Sequence, residues 1–244
     1  MPNLKSCSLC GHTYEQDSSG NNSICPDCIA TKTEVASAYD AVSNTYAEKY
    51  QDEILMKPLV QNFIQDFVKN IPSSGLICDM GCGPGQVARY LKNNLHRNTT
   101  GVDLSPKMIE VASAINPAIS FQCADVLQLD ETKAYDGIIG LYFIVNFPSQ
   151  QLITLFKKLK SLLKPSGKLL LSFHIGDDIL NRVEDFWDSG KPCNFYFFKP
   201  ETVTAALSQS GFKVTEVRYR EPDVAVEYNS QRAYIFAGAM DPNI

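Results

Sequence analysis

Between positions 76 and 91 the chain reads Leu76-Ile-Cys-Asp-Met-Gly-Cys-Gly-Pro-Gly-Gln-Val-Ala-Arg-Tyr-Leu91. This run starts as an apolar strand that ends at Asp79, passes through three glycines and continues as a helix. Gly81, Gly83 and Gly85 permit a tight turn and leave room for a ligand where any Cβ would collide. The free N–H groups at the start of the helix face the same place. The run therefore predicts a binding loop in which a nucleotide-like ligand lies against the main chain.

A second acid follows this loop at the end of the next predicted strand. That strand reads Thr99-Thr-Gly-Val-Asp103, and Leu104-Ser105-Pro106 comes after it. The dinucleotide fingerprint also opens a βαβ unit, but its spacing is G-x-G-x-x-G. This chain instead has G-x-G-x-G, with an acid two residues before the first glycine. The two segments resemble motif I and the following acidic motif of the class I S-adenosylmethionine-dependent methyltransferases.

The resemblance continues in order along the chain, from roughly residue 36 to residue 237. The later segments that carry it are Phe121-Gln-Cys-Ala-Asp125, Tyr135-Asp-Gly-Ile-Ile-Gly-Leu141 and Leu162-Leu-Lys-Pro-Ser-Gly-Lys-Leu-Leu-Leu171. It implies an enzyme that transfers the methyl group of S-adenosylmethionine. It also implies an α/β fold, a three-layer sandwich around a seven-stranded, mostly parallel, Rossmann-like sheet whose last strand is antiparallel.

Apolar patterning supports a sheet of this kind. Short apolar strands alternate with helical patterns, which predicts parallel strands joined by right-handed crossovers. The predicted strands are 76–79, 100–103, 120–123, 137–141 and 168–174, followed by a final pair at 212–219 and 233–239.

Residues 1–32 are separable from this pattern, because they are rich in Cys, Ser, Asn and Gly and have almost no apolar periodicity. Such a segment cannot build a hydrophobic core of its own. The pairs Cys7-x-x-Cys10 and Cys25-x-x-Cys28 offer another source of stability, since each can bend around one tetrahedral ion. We expect a small zinc-ribbon-like module with a structural Zn²⁺. Four thiolates would close its coordination sphere and leave no catalytic position.

Composition is typical of an ordinary globular enzyme, with 44% hydrophobic and 20% charged residues among 244. No stretch approaches the roughly 18 uninterrupted apolar residues of a membrane span, and the start lacks the apolar stretch of a secretory signal. We therefore expect a cytoplasmic protein with no membrane partner, whose eight cysteines are thiols or metal ligands. For the two cysteine pairs, unliganded thiols, a redox pair, or His12 in place of one cysteine stay open.

Residues 33–244 are predicted to form the methyltransferase domain, beginning with cap helices over 33–72. Tyr39 and Tyr46 share one face of the first helix, which is predicted over 34–50. Such a stripe is typical of core packing, but the resemblance implies that this helix covers the cofactor. A tyrosine face near a sulfonium would gain cation–π attraction. Packing and cofactor contact both stay open for these two side chains.

Three acids stand at the carboxyl ends of successive predicted strands, the edge where open α/β sheets bind ligands. A single such acid is also typical of a helix cap. By resemblance, Asp103 would accept the ribose hydroxyls, Asp125 the adenine amino group, and Asp79 with Gly81 would hold the methionine moiety. The residues that the resemblance assigns to S-adenosylmethionine are Tyr39, Tyr46, Asp79, Gly81, Gly83, Gly85, Asp103, Leu104, Met108, Asp125, Val126 and Leu141.

The catalytic candidate is His174, which ends the fifth predicted strand at the same edge. Methyl transfer from a sulfonium is an in-line displacement, so the protein supplies alignment, water exclusion and, where required, proton removal. An unperturbed histidine pKa of about 6.5 suits a base near neutrality. The alternative is a histidine whose ring is satisfied by a loop carbonyl.

The acidic and aromatic segment 175–199 is predicted to be a lid over the acceptor. A covered aromatic pocket fits a small-molecule acceptor better than nucleic acid. The net charge of −5 agrees, because phosphate binding needs a concentrated basic face. Two alternatives remain: an RNA base methyltransferase with a zinc recognition module, and a non-catalytic subunit that binds S-adenosylmethionine without turning it over. The oligomeric state is not readable from the sequence.

Overall fold

The computed structural model describes residues 4–8, 10–15, 25–130 and 132–240. Part of the predicted zinc-ribbon-like module, residues 16–24 between the two cysteine pairs, lies outside the described residues. The strands are β1 (Leu4–Ser6), β2 (Thr13–Glu15), β3 (Leu76–Met80), β4 (Asn98–Asp103), β5 (Ser120–Cys123), β6 (Tyr135–Leu141), β7 (Leu163–His174), β8 (Ile179–Val183), β9 (Cys193–Phe197), β10 (Phe212–Arg220) and β11 (Arg232–Ala239). The α-helices are α1 (Pro26–Tyr50), α2 (Pro58–Lys69), α3 (Gln86–Asn93), α4 (Pro106–Ile115), α5 (Leu152–Leu162) and α6 (Pro200–Gln209).

Seven strands form the central sheet in the order β10-β11-β7-β6-β3-β4-β5. The five strands from β7 to β5 pair in parallel, whereas β11 is antiparallel to both of its neighbours. This confirms the predicted seven-stranded, mostly parallel sheet with an antiparallel last strand. The chain order reverses between β3 and β6, and in open α/β sheets a ligand crevice opens outside the carboxyl ends at such a point.

Alternating side chains of the sheet point to opposite faces, and each face packs with helices in an apolar core. The sheet and the helices on its two sides form the three layers. On β7, Leu169 and Leu171 pack with the buried residues of α5 and α6. Leu170 points to the opposite core, which contains the apolar faces of α2 and α3. Strands buried on both faces read as continuous apolar runs, and this explains the Leu-rich segment of β7.

The first long helix differs from the prediction at its start. The sequence predicted a helix over 34–50, but α1 begins at Pro26, eight residues earlier. Pro at the first helical position suits a helix start, because its missing N–H would be unpaired there in any case. The predicted boundary between residues 32 and 33 therefore falls inside a continuous helix. The second cysteine pair stands at its N-terminus, with Cys25 as the N-cap residue.

The other strand boundaries agree within a few residues, except at the start of β7. The sequence predicted this strand over 168–174, but β7 already begins at Leu163. The pairing of β6 with β7 shifts register between Tyr135 and Gly137, which accommodates the irregular start of β7. Helix α5 ends one residue earlier, at Leu162.

The segment 175–199 is not an irregular loop. It contains the antiparallel hairpin β8–β9, whose two strands are joined through a 3₁₀ turn at Phe186–Asp188. Three consecutive aromatic residues of β9, Phe195 to Phe197, pair with β8 across the hairpin, and aromatic residues favour strands. Among the residues that the structure describes, none of the helices is both long and apolar enough to cross a lipid bilayer.

Candidate active site

A cavity of about 440 Å³ opens at the carboxyl ends of β3, β4, β6 and β7. Its floor comes from these strand ends and from the glycine loop, and its cover comes from α1 and the β8–β9 segment. The volume lies in the range of small-molecule and cofactor sites. The cavity has two ends: the first contains the predicted cofactor residues, and the second contains His174 with a group of charged side chains.

The glycine loop supplies the main-chain wall of the first end. Gly81 and Gly83 have φ angles of +68° and +51°, a region that side chains rarely adopt. A Cβ on Gly83 would have only Gln86 Oε1 within 4 Å, at 3.9 Å, so the loop faces open space. Gln86 Oε1 is buried and has no hydrogen-bond partner. A buried acceptor left in this way fits a polar ligand that would donate a hydrogen bond to it.

Two buried carboxylates flank this loop. Asp79 is 2% exposed, and its Oδ2 accepts the Ala88 N–H at 2.9 Å. Burial raises the pKa of the Asp79 carboxyl to about 7, although the Ala88 hydrogen bond acts against that rise. Asp103 accepts the Gly83 and Ser105 N–H groups at 2.8 and 2.9 Å. Burial also raises the pKa of Asp103, against these hydrogen bonds. The two oxygens of a carboxylate have four lone pairs in all, so Asp103 keeps acceptor capacity for a ligand.

The third predicted acid, Asp125, is engaged by a residue that the sequence did not indicate. Lys32 Nζ lies 2.5 Å from Asp125 Oδ2, and Oδ1 accepts the Leu127 N–H at 3.0 Å. Both partners of the ion pair are more than four-fifths buried. Lys32 belongs to α1, so the helix that carries the second cysteine pair closes this end of the cavity. The role of Asp125 toward an adenine amino group stays a prediction.

An aromatic wall from α1 and the β8–β9 segment covers the middle of the cavity. The Tyr39 ring lies edge-on to Tyr46 and Phe186, with centroids 6.2 and 5.3 Å away. The Tyr46 ring lies 5.4 Å from Trp187. Tyr39 Oη donates to Asn146 Oδ1 at 3.5 Å. Tyr39 and Tyr46 therefore both pack against their neighbours in this wall and line the cavity.

Helix α1 is held over the cavity by Asp40. Its Oδ1 accepts the Ser105 hydroxyl and also the Lys107 N–H at 3.1 Å. Ser105 is the N-cap of α4, and its Oγ accepts the Met108 N–H at 3.0 Å. One carboxylate thus joins the middle of α1 to the start of α4, because it satisfies N–H and O–H donors there.

His174 lies at the second end of the cavity. Its Nδ1 is 2.7 Å from Ser230 Oγ, and its ring stacks on Phe197 with centroids 4.9 Å apart. Burial, with the nearby charge of Arg232, lowers the pKa of His174 to about 4. The ring is therefore neutral at pH 7. Its partner is a hydroxyl, whereas the alternative drawn from the sequence was a loop carbonyl.

Tyr142 follows the end of β6 in a left-handed backbone conformation, with φ of +58°. Its N–H is held by the Ser172 carbonyl at 3.0 Å, and its Oη accepts from Arg220 Nη2 at 3.3 Å. A non-glycine residue in this region is strained by about 1–3 kcal/mol and is common at functional sites. The Tyr142 ring lies beside His174, with centroids 5.1 Å apart.

The four predicted metal ligands converge beside the cavity. The sulfur atoms of Cys7, Cys10, Cys25 and Cys28 all lie within 4.8 Å of one another. The pairs Cys7–Cys28 and Cys10–Cys25 are 4.0 and 3.7 Å apart. Tetrahedral Zn²⁺ with Zn–S bonds of about 2.3 Å requires sulfur atoms about 3.8 Å apart, so the donor set fits this ion. His12 is exposed and is not part of this group.

The cysteine group contacts the rest of the chain directly. Gln151 Nε2 donates to Cys28 Sγ at 3.3 Å, and Cys28 also lines the cavity. At the cysteine pairs, the Gly11 N–H donates to the Cys7 carbonyl, and the Cys25 N–H donates to Cys7 Sγ at 3.2 Å. N–H donors to thiolate sulfur are typical of metal knuckles, because outer hydrogen bonds orient the ligands.

The structure brings every predicted cofactor residue to the cavity wall except Gly85. Gly85 is the N-cap of α3 with φ of +84°, and a Cβ there would be 2.8 Å from Phe121. Sequence reasoning missed Lys32, Gln86 and Asn146. The position of Lys32 could have been inferred from the sequence, because its spacing of four residues from Cys28 and seven from Tyr39 puts it on the same face of one helix. No sequence pattern indicated Gln86 or Asn146.

Residues 77–167 match the family model described as a methyltransferase domain. This part of the chain is therefore similar in sequence to methyltransferase domains. It is 33% identical over 140 residues to malonyl-[acyl-carrier protein] O-methyltransferase of Priestia megaterium, a match that covers 56% of this chain and 47% of that protein. It is 27% identical over 107 residues to ubiquinone biosynthesis O-methyltransferase of Xanthomonas axonopodis pv. citri, covering 41% and 44%. The chain thus spans about half the length of these curated relatives.

Solved structures share the fold of this chain. Magnesium protoporphyrin IX methyltransferase of Synechocystis PCC 6803, with bound SAH (S-adenosylhomocysteine), aligns with a TM-score of 0.62 and 20% identity over 87% of this chain and 98% of that chain. A SAM-dependent methyltransferase of Methanosarcina mazei aligns with a TM-score of 0.62 and 16% identity over 75% and 97%. These likenesses agree with the Rossmann-like sheet described above.

Proposed function

We propose that this chain binds S-adenosylmethionine in the cavity and transfers its methyl group to a small-molecule acceptor. One observation carries the proposal: a single covered cavity runs from the glycine loop and Asp103 to His174 and Tyr142. Cofactor and acceptor would share this space, away from water. Alignment of the two reactants and exclusion of water are the main contributions that a protein makes to an in-line displacement.

The residues present suit each part of the cofactor. The free lone pairs of Asp103 suit the ribose hydroxyls, and Asp79 with Gln86 suits the amino acid moiety. Bound S-adenosylmethionine supplies an electrophilic methyl group on a sulfonium. The faces of Tyr39 and Tyr46 would attract that positive charge. His174, held by Ser230, would take a proton from an acceptor that arrives protonated, and its lowered pKa keeps it unprotonated for that task.

The β8–β9 segment is the lid in this proposal. Phe186, Trp187, Phe195 and Phe197 contribute to the cavity wall from this segment. Opening of the hairpin would admit the acceptor, and its closure would exclude water from the sulfonium.

We also propose that the four thiols hold one structural Zn²⁺ per chain. The observation behind this is the spacing of the sulfur atoms, together with hydrogen-bond donors from Cys25 N–H and Gln151. The test is elemental analysis of the purified protein. One zinc per chain is expected, and a folded, metal-free protein would argue against the site.

Transfer to RNA is the less favoured alternative. Lys32, one of two lysines among residues 1–32, is paired with Asp125 rather than free for a phosphate. The relatives named above carry O-methyltransferase names of small-molecule or carrier-protein pathways. The experiment below distinguishes an enzyme from a subunit that binds the cofactor without turnover.

The test is calorimetric titration of the full chain with S-adenosylmethionine and S-adenosylhomocysteine. Asp103→Asn is expected to weaken both affinities by about tenfold or more, because a ligand hydroxyl pair loses its ionised acceptor. The control is Asp130→Asn, since Asp130 is exposed and outside the cavity wall. Binding would then be followed by methyl transfer to a panel of small acids and phenols. Lack of binding by folded wild type would overturn the proposal, and binding without transfer would favour the non-catalytic subunit.

A further inference from the structure

The second end of the cavity contains a basic cluster, which we define as Lys57, Arg220 and Arg232. The carboxylates of Glu53 and Glu227 are its acidic partners. Glu227 is shared by all three cations: Arg220 binds it through two hydrogen bonds of 2.8 and 2.9 Å, Lys57 pairs with it directly, and Arg232 Nη2 is 3.8 Å away. Three cations therefore face two carboxylates.

The positive surplus is buried rather than solvated. The side chain of Arg232 is 3% exposed and that of Arg220 is 10% exposed. The pKa of Glu227 is lowered to about 2, because hydrogen bonds from Arg220 and Lys57 outweigh its burial. Glu227 is therefore ionised at every ordinary pH and is already saturated by donors. The surplus charge has no further acidic partner among the described residues that contact the cluster.

Arg232 has unused donors at the cavity wall. Its Nη1 donates to the Ser230 carbonyl, whereas its buried Nε has no hydrogen-bond partner. The buried Nε of Arg220 also has none. Leaving a buried donor unpaired costs on the order of 1–3 kcal/mol, more for a charged group. Arg232, Lys57 and Glu227 all line the cavity, so a ligand there meets the Arg232 guanidinium, whose Nε lacks a partner.

The surrounding walls are aromatic and carry no compensating negative charge. Phe197 and Tyr228 meet edge to face at 5.5 Å, and His174 lies between them and Tyr142. His174 is neutral, as argued above. An occupant that matches both features has a flat apolar body and one anionic group.

We infer that the basic cluster forms a carboxylate-binding subsite, and that the methyl acceptor is an organic acid with an aromatic or apolar body. That the bound acid is the methyl acceptor rests on the proposed function, whereas the binding of the acid does not. Arg232 would donate to the carboxylate through its guanidinium group, and such groups favour a two-pronged geometry. Lys57 would add a second positive charge on the same side.

The experiment titrates matched acids and amides into the full chain saturated with S-adenosylhomocysteine. The probes are benzoate, phenylacetate and cinnamate, each beside its uncharged amide, with calorimetric detection. Each acid is expected to bind about tenfold or more tightly than its amide, because charge-assisted hydrogen bonds to a buried guanidinium exceed neutral ones. Arg232→Met should remove that preference, and Arg232→Lys should restore part of it.

The matched control is Arg218→Met. Arg218 lies on the same strand as Arg220, but its guanidinium pairs with Asp66 and Glu216 away from the cavity. This variant should keep both the acid preference and the affinity for S-adenosylhomocysteine. Lys57→Met serves as a second test variant if Arg232→Met does not fold.

The subsite would be overturned by equal binding of acids and amides, or by no binding of any acid at millimolar concentration. An unchanged preference for acids in the folded test variants would also overturn it. Failure of the proposed function looks different, because wild type would then not bind S-adenosylhomocysteine. In that case the same probes are titrated into the ligand-free chain, and the same criteria decide on the subsite.

Discussion

Asp79 shows at the scale of one residue how burial and ligand binding are linked. Its carboxyl has a pKa of about 7 in the ligand-free chain, because burial outweighs the Ala88 hydrogen bond. The unfolded chain releases this proton at about pH 4. The folded state therefore binds more protons between pH 4 and 7, and this group lowers the free energy of unfolding as the pH rises through that window.

The same carboxyl should make cofactor binding pH-dependent. An ammonium group beside Asp79 favours the ionised form, so binding below pH 7 must release a proton. We expect S-adenosylhomocysteine to bind about tenfold more weakly at pH 6 than at pH 7.5. Asp79→Asn should bind more weakly throughout and lose most of this dependence, as measured by calorimetry in buffers of different ionisation enthalpy. A variant that keeps the full dependence would show that another group, such as Asp103, takes up the proton.

His174 should act on stability with the opposite sign. Its pKa falls from 6.5 to about 4 on folding, so the unfolded chain binds more protons between these values. The folded state therefore loses stability as the pH falls through that window, by an amount on the order of 2 kcal/mol. Urea unfolding from pH 4.5 to 7.5 checks this: His174→Asn should be less sensitive to acid than wild type, and Asp79→Asn more sensitive. Parallel profiles for all three proteins would contradict both assignments.

At the scale of the element, α1 is a single rod of 25 residues, about 37 Å long at the usual rise per residue. Its overall amphipathicity is weak, so its position depends on particular contacts rather than on one broad apolar stripe. These contacts are the thiols at its start, Lys32 on Asp125, Asp40 on α4 and the tyrosine wall toward its end.

Removal of the Asp40 carboxylate should therefore loosen α1 from α4. Asp40→Ala leaves the Ser105 hydroxyl and the Lys107 N–H without this acceptor, and we expect a loss of about 1 kcal/mol in the free energy of unfolding. Affinity for S-adenosylhomocysteine should fall as well, because α1 covers the cofactor end. Glu48→Ala is the control, since Glu48 is exposed on the same helix. Equal effects of the two substitutions on stability and affinity would rule out this role for Asp40.

At the scale of the whole molecule, the thiol group and the cavity are parts of one structure. Cys28 and Lys32 lie one turn apart on α1, so metal at the thiols would fix the helix that closes the cofactor end. We expect Cys25→Ser to lose the metal and to weaken S-adenosylhomocysteine binding by about fivefold or more. Cys123→Ser is the control, because that thiol is exposed and outside the cluster. Zinc content and calorimetry on both variants provide the measurement, and unchanged affinity in a metal-free variant would disprove the coupling.

The sequence predicted the sheet, and the meeting of the glycine loop with the three acids at one edge, for a physical reason. A glycine loop between a buried strand and a helix leaves few alternatives for the backbone, and acids at strand ends share an edge by topology. The start of α1 was wrong, because β-branched residues such as Thr31 and Thr33 are weak helix formers and the turn is fixed by contacts with distant parts of the chain.

The basic cluster lay beyond sequence reasoning. Lys57 precedes α2, whereas Arg220 and Arg232 end β10 and begin β11. Only the antiparallel insertion of β11 between β10 and β7 brings them beside His174, since Arg232 pairs with His174 across the strands. The ion pair of Lys32 with Asp125 joins residues 93 positions apart and was equally hidden. Local patterns specify elements, but pairings of this range follow only from strand order.

Trp187 is the one tryptophan of the chain and forms part of the cavity wall. Its ring lies 5.4 Å from Tyr46 and 5.5 Å from Tyr50, and Lys49 Nζ is 4.7 Å from its centre. Indole emission responds to nearby charge and water, so all of the tryptophan fluorescence of this protein originates where the hairpin meets α1. The cavity thus contains its own optical probe. Rapid-mixing fluorescence can follow the entry of a ligand, and the movement of the hairpin around it, in unlabelled protein.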